Sequence, residues 1–94
     1  MSKSDSKRQE LQGQPTGRIE VWTVHMIGSE FILWGAIYDD IRERWEDGTT
    51  FHTSGIAGVD SNDLKKGMVV TTRNSTYLLG DSLVDVLNSR KVMQ

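Results

Sequence analysis

Two polar stretches interrupt an otherwise apolar, β-branched chain, and they hold the side chains best suited to chemistry. The first is His52-Thr53-Ser54-Gly55 and the second is Thr71-Thr72-Arg73-Asn74-Ser75-Thr76-Tyr77. Together they supply hydroxyls, amides, one imidazole and one guanidinium, a set that can surround a small ligand with hydrogen bonds. Arg73 can grip a phosphate or carboxylate with its planar fork of donors. His52, Thr53, Ser54, Asn74 and Ser75 can orient the ligand, and Gly55 permits close backbone approach. Tyr77 or an exposed Trp can stack on a base or sugar. On an unbroken strand Arg73, Ser75 and Tyr77 share one side and Thr72, Asn74 and Thr76 the other. A turn at Asn74 would change that assignment. A purely structural use competes with the functional one, because Thr suits strands, Asn-Ser suits turns, and Arg73 can pair with a neighbouring acid.

A third candidate is the charged run Asp39-Asp40-Ile41-Arg42-Glu43-Arg44-Trp45-Glu46-Asp47-Gly48. Trp45 with Glu43, Glu46 and Asp47 makes an acidic, aromatic patch on which a partner protein could dock. Read as catalytic carboxylates, Asp39, Glu43 and Glu46 are less persuasive, since Arg42 and Arg44 interleave with them and suggest mutual neutralisation. His52 and Ser54 are two apart, about 7 Å between Cα atoms at the usual strand rise, too far for a direct base–hydroxyl bond. There is no Gly-x-Ser-x-Gly elbow, Walker loop or dinucleotide glycine fingerprint. A non-catalytic role is therefore expected. The two histidines, His25 and His52, lack helical His-x-x-x-His spacing. Asp39 and Asp40 read as a solvated acidic face, so neither a metal nor another cofactor is expected.

Composition narrows the setting. Ninety-four residues suffice for one domain, and a 36% hydrophobic share gives it a thin core. In such a core large aromatics carry much of the burial, so Trp22, Trp34 and Trp45 are expected mostly in the core or at a subunit interface. With no cysteine, disulfides, thiolate nucleophiles and Cys-ligated zinc are excluded, in keeping with a reducing compartment. No apolar run approaches the roughly 20 residues that span a bilayer, and the N-terminal segment lacks the apolar centre of a secretory signal. A cytoplasmic location is the resulting expectation. The net charge of −2 is uneven: Lys3, Lys7, Arg8 and Arg18 outweigh Asp5 and Glu10 in the first 18 residues, leaving the remainder at about −4. An acidic domain repels a polyanion, so nucleic acid is not an expected partner, although the basic tail can touch phosphates.

The elements that must position these residues follow from pattern. Residues 1–17 are polar, contain the single proline, and are expected to be a disordered tail. The domain is expected over 18–94. Residues 18–27 and 31–38 read as strands joined at Gly28-Ser29 in an antiparallel hairpin. Strict alternation puts Ile19, Val21 and Ile27 on one side of the first strand and Trp22, Val24 and Met26 on the other. Likewise Phe31, Leu33 and Ile37 oppose Ile32, Trp34, Ala36 and Tyr38. Both faces are apolar, so the second needs a cover: barrel closure, the C-terminal helix, or a second subunit. Homo-oligomerisation is expected on that ground. Asp47-Gly48 predicts a turn, with 42–46 and 49–56 as arms of a second hairpin. Residues 57–67 read as loop, and 68–79 as strand with a kink or tight turn at Asn74-Ser75. Residues 82–92 predict a short helix, capped loosely by Ser82 and Asp85. Its face carries Leu83, Val86, Leu87 and Arg90. The sum is a mainly β, α+β fold, a small antiparallel sheet or partly open barrel of four to six strands with a C-terminal helix.

The run Val70–Tyr77 resembles a phrase found in small uncharacterised proteins of bacteria and their phages. The resemblance spans less than a tenth of the chain and transfers no function. A phage context would imply counter-defence work such as sequestering a host nucleotide signal. The expectation from the residues is a non-catalytic protein that captures a small anionic ligand such as a nucleotide. The alternative is a protein–protein interaction or inhibitor module acting through residues 39–47.

Overall fold

A computed structural model describes residues 14–92. Five strands, β1 (Gly17–Ile27), β2 (Glu30–Tyr38), β3 (Thr49–His52), β4 (Val69–Thr71) and β5 (Thr76–Leu79), precede one helix, α1 (Leu83–Val92). The strands form one sheet in the order β3-β2-β1-β5-β4, unclosed, so the fold is the expected mainly β, α+β type. Three pairings are antiparallel, and the fourth, β1 with β5, is parallel. Parallel pairing needs a long crossover, and the stretch between β3 and β4 supplies it. Of the segment 1–17, expected to be a disordered tail, residues 1–13 lie outside the described residues, whereas Gly17 already begins β1. Thr16 is fully buried and bonds with Thr76 through both backbone and side chain, which ties the start of β1 to the end of the β4–β5 loop.

The β1–β2 hairpin turns at Gly28-Ser29, where Gly28 takes φ +63°, a conformation glycine adopts without a Cβ penalty. In β2 the expected alternation holds: Phe31, Leu33 and Ile37 are buried. In β1 it fails. The register shifts between Glu20 and Thr23, and Val21 sits at φ +56°. This bulge inserts one residue, so Ile19 and Trp22 both face the core while Val21 is 40% exposed. Gly35 makes room for it. A Cβ there would lie 2.7 Å from Ile19 Cγ2 and 2.8 Å from the Glu20 carbonyl oxygen.

The core lies on one face of the sheet, where Ile19, Trp22, Leu33, Ile37, Tyr77 and Leu79 are buried, and the crossover covers it with Ile56, Val59, Leu64 and Met68. Trp22 donates from Nε1 to the Gly80 carbonyl at 2.8 Å, so its one polar group is satisfied in the interior. Among the described residues the other face is covered at only one end, where α1 packs against β1 and Leu83 meets Val21, Thr23 and Trp34 around an apolar groove. Ser82 caps the helix by accepting from the Asp85 backbone N–H at 3.1 Å. Leu83 and Val86 are half-buried but Leu87 is 47% exposed, so the expected apolar stripe is only partly used. The side chain of Arg90 lies outside the described set.

The second hairpin is not built as expected. Residues 42–46 form no strand, and β3 pairs with β2 instead, from Trp34 opposite His52 to Ile37 opposite Thr49. Asp47-Gly48 does turn the chain, with Gly48 at φ +88° and Asp47 Oδ1 accepting from the Asp39 backbone N–H. The whole run 39–48 is thus the connection itself. The reason is local chemistry: Asp40 and Asp47 bond nearby backbone N–H groups, which competes with strand pairing.

Candidate functional site

The fold brings the two polar stretches together. The β4–β5 connection is a tight loop at Thr72–Ser75, where the Thr72 N–H donates to the Ser75 carbonyl at 2.8 Å and the Ser75 N–H donates to Thr72 Oγ1 at 3.2 Å. Thr72 and Ser75 are buried, and the exposed pair between them is Arg73 and Asn74. The expected turn near Asn74 is therefore real, and the face assignment for an unbroken strand does not apply. Across from this loop, β3 runs out into Ser54 and Gly55. An open cleft of about 500 Å³ separates the two segments, with Ser54 and Gly55 on one side and Thr71, Arg73 and Asn74 on the other. A second cleft of about 300 Å³ shares Ser54, Thr72 and Asn74 with the first and continues to Arg42, Arg44 and Trp45.

Residue by residue, the expected ligand-binding set divides. Arg73, Asn74 and Ser54 are exposed on the cleft walls. Arg73 forms no hydrogen bond or ion pair among the described residues, so the anticipated pairing with a neighbouring acid is absent there. Ser75 sits at the base of the second cleft, and its hydroxyl accepts from Arg42 Nη1 at 3.0 Å. Thr53 is 2% exposed, and its hydroxyl accepts from the Leu33 backbone N–H, which extends the β2–β3 pairing by one residue. His52 borders the second cleft, but its ring packs on Trp34 at 4.7 Å between centroids, on the sheet face away from the core. Tyr77 is 4% exposed with its ring against Phe51, so it lends the second cleft a hydroxyl edge rather than a stacking face.

The residues missed from sequence are Arg42 and Arg44. Both lie on the 39–48 connection and line the second cleft. Arg42 donates through Nη1 to Ser75 Oγ and through Nη2 to the Asn74 carbonyl at 2.8 Å. Arg44 makes an ion pair with Asp40 at 3.2 Å and a long 3.5 Å contact to the Tyr77 hydroxyl. Partial burial alone would lower the pKa of Arg44, but hydrogen bonds to Tyr77 and Asp40 outweigh it and raise the value above the ordinary one. Arg44 is thus a fixed positive charge. The organiser is Asp40, whose side chain is 1% exposed and accepts from the backbone N–H groups of Arg42 and Arg44. The alternation Arg42-Glu43-Arg44 was the available signal, but it reads equally as a neutralised surface run.

The expected partner patch belongs to the same locus. Trp45 is 44% exposed and tilted against Phe51 at 6.3 Å, so one aromatic face borders the second cleft. On its other flank Glu43, Glu46 and Asp47 join Asp39 around a shallow acidic hollow. Of the three tryptophans, only Trp22 is core; Trp34 is 42% exposed. Among the described residues no group of three or more His, Asp or Glu side chains could hold a metal ion. No described helix is long and apolar enough to cross a membrane. Comparison with protein families, curated proteins and solved structures finds no match to this chain.

Proposed function

We propose that this protein is a non-catalytic binder of a small anionic ligand, a nucleotide being the best-fitting class. The ligand is held where the loop 72–75 faces Ser54 and Gly55, and the 39–48 connection borders the adjoining cleft. The observation that carries this reading is an unengaged guanidinium in a concave polar setting: Arg73 has no partner among the described residues and borders a cleft of about 500 Å³. That volume lies within the range of small-molecule sites. Arg42 and Arg44 add positive charge held in place by Ser75, Asn74, Asp40 and Tyr77. Fixed donors of this kind lose little entropy when an oxyanion arrives. Trp45, rather than the buried Tyr77, offers an exposed aromatic surface, on the adjoining second cleft. Sequestration of a nucleotide signal is the cellular role such capture would serve. The exposed Trp34, Val84 and Leu87 support assembly into a homo-oligomer.

The test is calorimetric titration of the full chain and of Arg73→Ala with a nucleoside monophosphate. Arg73 is exposed at a loop tip, so its removal should weaken binding at least tenfold and leave the melting temperature nearly unchanged. Unfolding of the variant would mark Arg73 as structural, and undiminished binding would remove it from the site. Trp45 with its acidic flank supports a second reading, docking of a partner protein. Charge reversal by Glu43→Lys with Glu46→Lys should then weaken the complex and flatten its salt dependence. Unchanged partner binding would exclude that reading.

A further inference from the structure

Glu30 lies at the start of β2 and lines the 500 Å³ cleft together with Ser54, Gly55 and Arg73. Its carboxylate rests against Gly55, where even a Cβ would collide with Glu30 Oε1. The side chain forms no hydrogen bond or ion pair among the described residues, and it does not pair with Arg73 although both border one cleft. A carboxylate and a guanidinium that share a cleft without joining leave room for a ligand between them. Such a ligand must be bipolar, with an anion for Arg73 and N–H donors for Glu30. A ligand that is anionic at both ends would be repelled by the carboxylate.

Resting on the nucleotide reading above, we infer that the site selects a guanine base. An ionised carboxylate only accepts hydrogen bonds, and its two oxygens match two adjacent donors. Guanine offers such a pair, N1–H and N2–H, side by side on one edge. Adenine and cytosine each set a ring-nitrogen acceptor beside their amino group, and uracil flanks its single N–H with two carbonyls. Any of those three would bring an acceptor lone pair against Glu30, and an unpaired polar contact in a partly desolvated cleft is a strong discriminator. The phosphate of the same ligand would fall to Arg73, and Ser54 and Asn74 line the same cleft.

The deciding experiment is calorimetric titration of the full chain with GMP, AMP and inorganic phosphate, repeated on Glu30→Gln. Glu30 is exposed, so the isosteric change should leave the fold intact. The expected result is GMP binding at least tenfold tighter than AMP, with that preference lost in Glu30→Gln and phosphate affinity undiminished. Equal affinities for GMP and AMP in the parent protein would overturn the base selection and leave the anion site standing. A GMP preference that survives in Glu30→Gln would overturn the role of Glu30. Failure of all three ligands to bind would remove the anion site itself, and the guanine inference with it.

Discussion

A buried carboxylate has to find donors, and Asp40 finds four: the backbone N–H groups of Arg42 and Arg44, and Nε and Nη2 of Arg44. The ion pair with Arg44 contributes modestly, because the Arg44 side chain is 37% exposed and screened by water. The backbone bonds matter more, since they set the path of the chain that delivers both arginines. Asp40→Asn should therefore cost about 2 kcal/mol, the scale of a lost charge-assisted hydrogen bond. That corresponds to a fall in melting temperature of roughly 10 °C for a domain this size. An unchanged melting temperature would mean that Asp40 does not organise the connection. Residue types alone drew attention to Arg73, a lone guanidinium among small hydroxyl residues, and the fold sets it on a cleft wall. They did not identify Arg42 and Arg44. In an irregular connection no periodicity states which way a side chain points, and the flanking glutamates gave an equally good account of those charges.

At the scale of elements, the hairpin β1–β2 shows where pattern reading holds and where it breaks. The alternation of β2 is faithful because the extra residue of the bulge lies in β1, which leaves β2 itself regular. That of β1 is displaced by one residue because Val21 occupies a left-handed conformation, which a β-branched residue adopts only under surrounding constraint. Its N–H donates to the Asp81 carbonyl at 2.7 Å, and the Gly80 N–H donates to the Ile19 carbonyl, so the bulge is held by the segment that leads into α1. No local signal in the sequence announces this; the nearest one is Gly35, a glycine within an apolar strand, which often marks close backbone approach. Gly35→Ala forces a methyl group against the Glu20 carbonyl and Ile19, and should destabilise the protein by about 1–3 kcal/mol in urea titration. A change below about 0.5 kcal/mol, the scatter of ordinary surface substitutions, would show that the bulge can relax away from β2. The second hairpin was misjudged for a different reason. The turn at Asp47-Gly48 is legible, but its N-terminal arm is β2, which ends at Tyr38, rather than residues 42–46.

At the scale of the whole molecule, one buried layer supports the fold, and the unclosed sheet leaves much of its second face to solvent. The class of fold was legible because β-branched runs, turn residues and one change of period are local properties. The parallel pairing of β1 with β5 was not, since it depends on a crossover whose path no short segment encodes. That same crossover brings Ser54 to the cleft that Arg73 lines, so the candidate site is a product of topology rather than of any one motif. Arg73 then faces one cleft, and Arg42 and Arg44 the adjoining one, in a chain whose net charge is −2. Long-range attraction contributes little under those conditions, so the proposed capture would depend on the local donors.

The measurement closest to this conclusion is native mass spectrometry of the full chain and of Arg73→Ala, each mixed with a pool of nucleotides after gentle purification from the expressing cells. It reports subunit number and bound mass together. An oligomer of the parent protein carrying a nucleotide mass, which Arg73→Ala fails to retain while keeping the same subunit number, is the expected result. Parent protein that stays bare in the presence of the pool, or a variant that retains the ligand as well as the parent, would contradict capture at Arg73.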